Sequence, residues 1–226
     1  MTATPIVAPS NITHSDHNTE IRSVKFVPPP VWKRTFDVVG ATCLLITLAP
    51  LMAAIALYIK CVSKGPILFC QERIGGGAKN FVMYKFRTME VGQADDSHSV
   101  YIASLAKSDQ PAKKPEYAAR LIPGARLLRS LSLDELPQLF NVLRGNMSLI
   151  GPRPEVLKLE EYQSWQLRRF EVLPGISGLW QVSGKNLLTF NQMIQLDIQY
   201  VDRGGFWLDM KIALKTLRVV LLRRNH

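Results

Sequence analysis

Cysteine is scarce. The chain has three, Cys43, Cys61 and Cys70, with no CxxC and no paired spacing. A disulfide scaffold and a thiolate metal site are thereby excluded, and small reduced cysteines point to a reducing compartment. Histidine is also scarce. His14 and His17 stand close together, but no further ligand type is near them, so a solvated tail is the better reading. Acidic residues are outnumbered, 18 against 28 lysines and arginines, for a net charge of +10. That deficit suits a polyanionic partner: nucleic acid, phosphate-bearing small molecules or an anionic membrane surface. Nucleic acid fits the charge, yet there is no recognised binding module and no aromatic platform, with aromatics at only 8%. The triple glycine Gly75-Gly76-Gly77 lacks the Lys-Ser/Thr that completes a P-loop.

What is present begins with a polar stretch, residues 1–32, that ends in Pro28-Pro29-Pro30. It reads as a disordered tail with a stiff spacer. Next comes Val38 to Ile59, VVGATCLLITLAPLMAAIALYI, without one charge. It starts too far along the chain for a secretory signal. Roughly 20 helical residues span a bilayer core, so its length permits a crossing. Pro50 sits mid-run, where it removes a backbone donor. Both flanks are basic, Lys33 and Arg34 before, Lys60 and Lys64 after, which denies the asymmetry of the positive-inside rule. Val38 to Ala49 would make a helix of about 18 Å, enough to dip into one leaflet but not to cross. The sequence therefore predicts a re-entrant hairpin over residues 33–60, broken at Ala49-Pro50, with Asp37 seating its first end. A kinked span is the alternative.

The remainder, residues 61–226, reads as the catalytic part. Ile67 to Phe69 and Phe81 to Thr88, joined through the glycines, predict a β-hairpin on which Lys85 and Arg87 share a face. Val91 to Pro115 is polar and reads as a mobile connection. Leu136, Leu139, Phe140 and Leu143 recur at helical spacing. Ahead of them stands Ser132-Leu133-Asp134-Glu135. A capping box is one reading, but Pro137 disfavours it, and a helix starting near Asp134 or Glu135 fits better. Two carboxylates would then stand at a helix start, with Arg129, Arg144 and Arg153 close in sequence. A carboxylate, an arginine cluster and a divalent cation suffice for phosphoryl transfer. A pair that merely stabilises the helix dipole explains the carboxylates equally well. Gly151-Pro152-Arg153-Pro154 holds one arginine between two prolines, extended and suited to bidentate phosphate contact. The Leu173–Lys185 stretch, with Trp180, Gln181 and Lys185, is either a nucleotide-base pocket or a packed loop. At the C-terminus Lys211, Lys215 and Arg218 form a basic stripe on an apolar helix. That helix either lies among lipid headgroups or packs on the domain.

From about Lys33 to Arg224 the chain resembles the bacterial sugar transferases, the monotopic polyprenyl-phosphate phosphoglycosyl transferases, and in particular members that initiate exopolysaccharide or surface-glycan synthesis. The resemblance rests on Lys33-Arg34-Thr35-Phe36-Asp37, the interrupted apolar run and Tyr84-Lys85-Phe86-Arg87-Thr88-Met89. It continues through Arg129 to Leu136, Gly151 to Pro154 and Pro174 to Lys185. It implies transfer of a sugar 1-phosphate from a UDP-sugar to undecaprenyl phosphate, with release of UMP. Asp134 would attack the β-phosphorus and hold Mg²⁺, Glu135 would assist, and Lys85, Arg87, Arg129, Arg144, Arg153, Gln181 and Lys185 would bind substrate. It also implies a monotopic protein on the cytoplasmic face of the bacterial inner membrane, with downstream glycosyltransferases as further partners. Lys185 stands where the family commonly has arginine, which loses bidentate geometry. The expected fold is α+β and mainly helical: a re-entrant helix-break-helix hairpin, a small β-hairpin and a helical catalytic core with surface amphipathic helices. A membrane-bound Mg²⁺ phosphohydrolase and a non-catalytic protein that binds anionic lipid are the competing readings.

Overall fold

The computed structural model describes residues 24–91, 104–105, 108, 121–184 and 187–221. Most of the polar tail, most of the Val91–Pro115 connection and Lys185 lie outside these residues. The last part of the tail, 24–30, has neither helix nor strand but is held in place. Val27 N donates to the Glu171 carbonyl at 2.7 Å, and Phe26 lies so close over Gly76 that a Cβ there would stand 2.5 Å from its ring. Apolar side chains on a proline-stiffened segment give it that anchorage, which its polar composition hides.

The first element is one long helix, α1 (Val31–Val62), with Pro50 inside it. The predicted division into two helices at Ala49-Pro50 is not present. Proline removes one donor from the ladder, but the helix continues around the gap. Its inward stripe keeps phase across Pro50: Asp37, Ala41, Leu45, Leu48, Met52, Ile55 and Ile59 are buried or half-buried at spacings of four or three. The rest of the surface is apolar and exposed, including Val39, Leu44, Ile46, Leu51 and Leu57. Full burial of such a side chain is worth about 1.5–3 kcal/mol, so a face this broad calls for apolar surroundings. The helix is long and apolar enough to cross a membrane by length and composition.

Both ends of α1 are fastened to the same folded body. At the start, Arg34 donates to the Val142 and Leu143 carbonyls at 2.6 and 2.8 Å. Asp37 is buried and accepts from Ser148 Oγ and Leu149 N, each at 2.9 Å, which is the seating role its position predicted. Lys33 donates to the Ile150 carbonyl and pairs with Asp209 at 2.6 Å. At the far end Ile55 and Ile59 pack with Phe86, Ile122 and Leu128.

The predicted hairpin forms. Strands β1 (Leu68–Ile74) and β2 (Asn80–Phe86) run antiparallel, with Phe69 opposite Lys85 and Arg73 opposite Phe81. Short helices α2 (Ala125–Ser130) and α3 (Gln138–Arg144) follow. Leu139 and Val142 of α3 join Phe81, Met83 and Ala41 in one core cluster. Phe140, expected on the inward stripe, is 46% exposed. Gln138, Leu139, Asn141 and Val142 take the inward positions of this helix, which leaves Phe140 facing outward. A two-strand parallel sheet, β3 (Ser148–Ile150) with β4 (Gly175–Ser177), crosses behind. Its backbones pass so closely that a Cβ on Gly175 would fall 2.0 Å from Gly151 N, so only glycine fits there.

Helices α4 (Phe190–Arg203) and α5 (Phe206–Leu221) complete the body. Phe190, Met193 and Ile194 of α4 form a second core with Phe170 and Trp180. On α5, Ile212 and Asp209 are buried while Trp207, Leu214 and Leu217 are exposed beside Lys211, Lys215 and Arg218. The helix therefore packs on the domain along one edge, as one of the two sequence readings expects, and offers an apolar and basic face along the other.

Candidate functional site

Asp134 and Glu135 lie in a single 3₁₀ turn, Leu133–Glu135, just ahead of α3. The capping box does not form: Ser132 is left-handed, with φ 54 and ψ 23, and Pro137 is the residue that caps α3. A non-glycine residue in that conformation costs about 1–3 kcal/mol and persists where its surroundings hold it. Here Leu133 and Leu136, on either side of the carboxylates, pack into the cluster formed by Ile55, Ile59 and Phe86. The turn is thus pinned against the apolar helix.

Glu135 is the better tethered of the two. Its Oε1 accepts from Lys85 Nζ at 2.9 Å and from Arg153 Nη2 at 2.7 Å, while Arg153 Nη1 reaches Oε2 at 3.4 Å. Burial alone would raise its pKa, but Arg153 and Lys85 outweigh burial and hold the carboxyl well below the usual range. Asp134 moves the other way. Burial, then the charge on Glu135, lifts it to about 6, opposed by Lys85, Arg129 and Arg153. Two adjacent carboxylates therefore differ sharply: one is locked as an anion inside a salt bridge, and the other is exposed to the field of three cations. Lys85, Arg129 and Arg153 favour the ionised form of Asp134 against that burial. Among the described residues no side chain donates a hydrogen bond to it. An ionised, unclaimed carboxylate facing cations can attack phosphorus or bind a metal.

The predicted basic residues divide. Lys85 and Arg153 reach the site directly. Arg129 reaches it by charge, its Nε held on Thr88 Oγ1 at 3.0 Å. Arg87 does not reach it. Its guanidinium is buried and donates to the Lys64 and Ser63 carbonyls at 2.7 and 3.1 Å, closing the end of α1. Arg144 lies over the Tyr84 ring at 5.1 Å and donates to its hydroxyl, on the side of β2 opposite Lys85. Gln181 sits by the Gly151–Gly178 backbone with Oε1 buried and unpartnered, and Trp180 is a core residue. The burial of Trp180 fits the packed-loop reading at that position.

Other supports were not foreseen. Asn141 is fully buried and clamps α3 to β2, accepting from Tyr84 N at 3.1 Å and donating to the Val82 carbonyl at 2.6 Å. Arg169 is buried with Asp197 at 2.8 Å and donates to the Arg153 carbonyl. The signal for Asn141 was available: Gln138 and Asn141 are polar at i, i+3, beside Leu139 and Val142, where a core-facing stripe should be apolar.

No group of three or more metal-ligating side chains occurs among the described residues. A fully protein-ligated cation site is therefore not what this region offers. Magnesium usually takes one or two carboxylates plus substrate phosphates and water, and Asp134 beside an engaged Glu135 fits that pattern.

A family model described as bacterial sugar transferase matches residues 29–223. The chain is 39% identical over 194 residues to the galactosyl transferase CpsE of Streptococcus agalactiae serotype III (strain NEM316), an alignment covering 84% of this chain and 42% of the relative. To the exopolysaccharide production protein ExoY of Rhizobium meliloti (strain 1021) it is 37% identical over 196 residues, covering 85% and 87%. To a UDP-glucose:undecaprenyl-phosphate glucose-1-phosphate transferase of Xanthomonas campestris pv. campestris it is 39% identical over 200 residues, covering 84% and 39%. The chain thus spans about two fifths of the first and third of these relatives and most of the second.

Proposed function

The chain belongs to the bacterial sugar transferase family, and from that premise we propose that it moves a hexose 1-phosphate from a UDP-sugar to undecaprenyl phosphate, releasing UMP. The observation that carries this is the Asp134-Glu135 turn: a free carboxylate among Lys85, Arg129 and Arg153, flanked by leucines that pack on an exposed apolar helix. A water-borne diphosphate and a lipid-borne phosphate can meet only at such a boundary. The Xanthomonas relative, a UDP-glucose:undecaprenyl-phosphate glucose-1-phosphate transferase, supplies the donor and acceptor classes.

In the first step an Asp134 oxygen attacks the β-phosphorus. The bond from that phosphorus to the oxygen bridging it to the α-phosphorus breaks, and UMP leaves with that oxygen. In the second step an oxygen of the lipid phosphate attacks the same phosphorus, the Asp134 ester opens, and the carboxylate is restored. Lys85, Arg129 and Arg153 neutralise charge on the transferring group. A magnesium ion held by Asp134 and the substrate phosphates would add to that neutralisation. Glu135 serves better as the post that aims Arg153 and Lys85 than as a base, because a carboxyl held so acidic accepts protons poorly. The acceptor needs little help, since a phosphate monoester has its second pKa near 6.

UMP release across a panel of UDP-sugars, with undecaprenyl phosphate present, tests the proposal. A lipid-linked sugar diphosphate is the expected product. Free sugar phosphate would instead identify a phosphohydrolase, and salt-sensitive membrane binding without UMP release would identify a lipid-binding protein. The pH profile is a further check. The nucleophile must be ionised, so kcat should fall as pH drops through about 6, where Asp134 takes up its proton. Glu135→Gln removes a neighbouring negative charge, which should move that limb down by about one pH unit. An unmoved limb would show that another group sets it.

Attachment of both ends of α1 to one body supports a helix that enters and leaves the same face, the cytoplasmic side of the inner membrane, as a monotopic anchor for a catalytic part over 61–226. Single cysteines at Val31 and Lys64, in a background freed of the native thiols, should label from one side of sealed inverted vesicles. Labelling from opposite sides would establish a span.

A further inference from the structure

Gln138 is the first residue of α3, is 2% exposed, and its Nε2 has no hydrogen-bond partner. A buried amide N–H without an acceptor is costly, and the fold could have avoided the cost with an apolar residue of similar size. Gln138 lines a small polar cavity with Arg73, Lys85, Arg153 and Glu155. Two of these, Lys85 and Arg153, are the residues that grip Glu135, so the cavity opens beside the carboxylate pair. Three cations face two carboxylates, Glu155 and the Glu135 that Lys85 and Arg153 grip, so the lining is net positive and suits an anion, and the unpartnered Gln138 amide, turned toward the cavity, offers a donor to one of that anion's oxygens.

We propose that Gln138 is a phosphate-binding residue, its Nε2 donating to a phosphoryl oxygen in the cavity it shares with Arg73, Lys85 and Arg153. A neutral donor adds a directed bond without more charge, so it fixes the orientation of a phosphate that the cations hold by attraction. The inference rests on the transferase reading only for the choice of ligands, a uridine diphosphate or a prenyl phosphate.

The test compares Gln138→Leu with the wild-type full chain in lipid nanodiscs, by thermal unfolding and by equilibrium binding of UDP and, separately, of farnesyl phosphate. The leucine variant should unfold at a higher temperature without ligand, since the orphaned donor is gone. It should bind one of the two phosphates about tenfold more weakly or worse, the scale of a hydrogen bond to a charged group. Loss confined to UDP places the donor's diphosphate in the cavity; loss confined to farnesyl phosphate places the acceptor there. Affinities within twofold of wild type for both ligands, or a ligand-free variant less stable than wild type, would overturn the proposal and make Gln138 a structural residue. Binding is read without turnover, so a wild-type protein that releases no UMP would sink the transferase reading and leave this result standing.

Discussion

Asp134→Asn should lower UMP release by at least about 10³-fold, with the protein still folded. Removal of an attacking group leaves only the contributions of binding and charge neutralisation, and losses of this size or larger accompany deletion of a nucleophile. The amide is nearly isosteric, and among the described residues no side chain donates a hydrogen bond to Asp134, so stability should change little. Relief of the burial cost, and of the repulsion from Glu135, that lift Asp134 to about 6 favours the variant, but three cations lose a partner at the same time. The decisive measurement pairs UMP release with mass spectrometry of the wild type, quenched without lipid acceptor, for a sugar phosphate ester on Asp134. Turnover by Asp134→Asn within tenfold of wild type would exclude the aspartate as nucleophile.

Arg169→Met should be strongly destabilising, at about 3–5 kcal/mol. Arg169 and Asp197 form an ion pair at 2.8 Å with side chains only 2% and 1% exposed. Arg169 also donates to the Tyr162 hydroxyl at 3.0 Å and lies over the Tyr162 and Phe170 rings at 5.7 and 5.6 Å. Burial already lifts Asp197 to about 7 against the pull of Arg169. Without the arginine the carboxyl is left buried and uncompensated. The consequence extends to chemistry, because Arg169 holds the Arg153 carbonyl and Arg153 holds Glu135. UMP release should fall about 10- to 100-fold. Arg169→Met with Asp197→Leu should recover much of the stability, since no lone charge remains, but not the activity, since the Arg153 carbonyl still lacks its donor. Urea unfolding of the detergent-solubilised protein, followed by tryptophan fluorescence, gives the first quantity. A single variant within 1 kcal/mol of wild type would show that the pair contributes little.

The apolar run illustrates how far a pattern carries. Its length, lack of charge and basic flanks were readable, and so was the role of Asp37. Whether Pro50 divides the helix was not readable, because proline removes the same donor in a kinked helix as in a broken one. The outcome depends on what packs against each half, and here one inward stripe runs through Pro50 against a single body. The hairpin of β1 and β2 was legible for the opposite reason: alternation and a glycine turn are local, and local order decides such a pair.

By itself, then, the sequence determined which chemistries were available: an uncharged helix for an apolar phase, a β-hairpin, a carboxylate pair and a surplus of arginine and lysine near it. Only the tertiary structure decided which of those cations belong to the carboxylates. Lys85, Arg129 and Arg153 do; Arg87 closes a helix end and Arg144 stacks on a tyrosine. In sequence these residues carry the same charge within a few positions of the same motifs. Their sorting depends on strand face and on long-range contacts such as Lys85 to Glu135, 50 residues apart, and Asp37 to Ser148, 111 apart. Contacts of that range leave no local periodicity, because they are set by how whole elements pack.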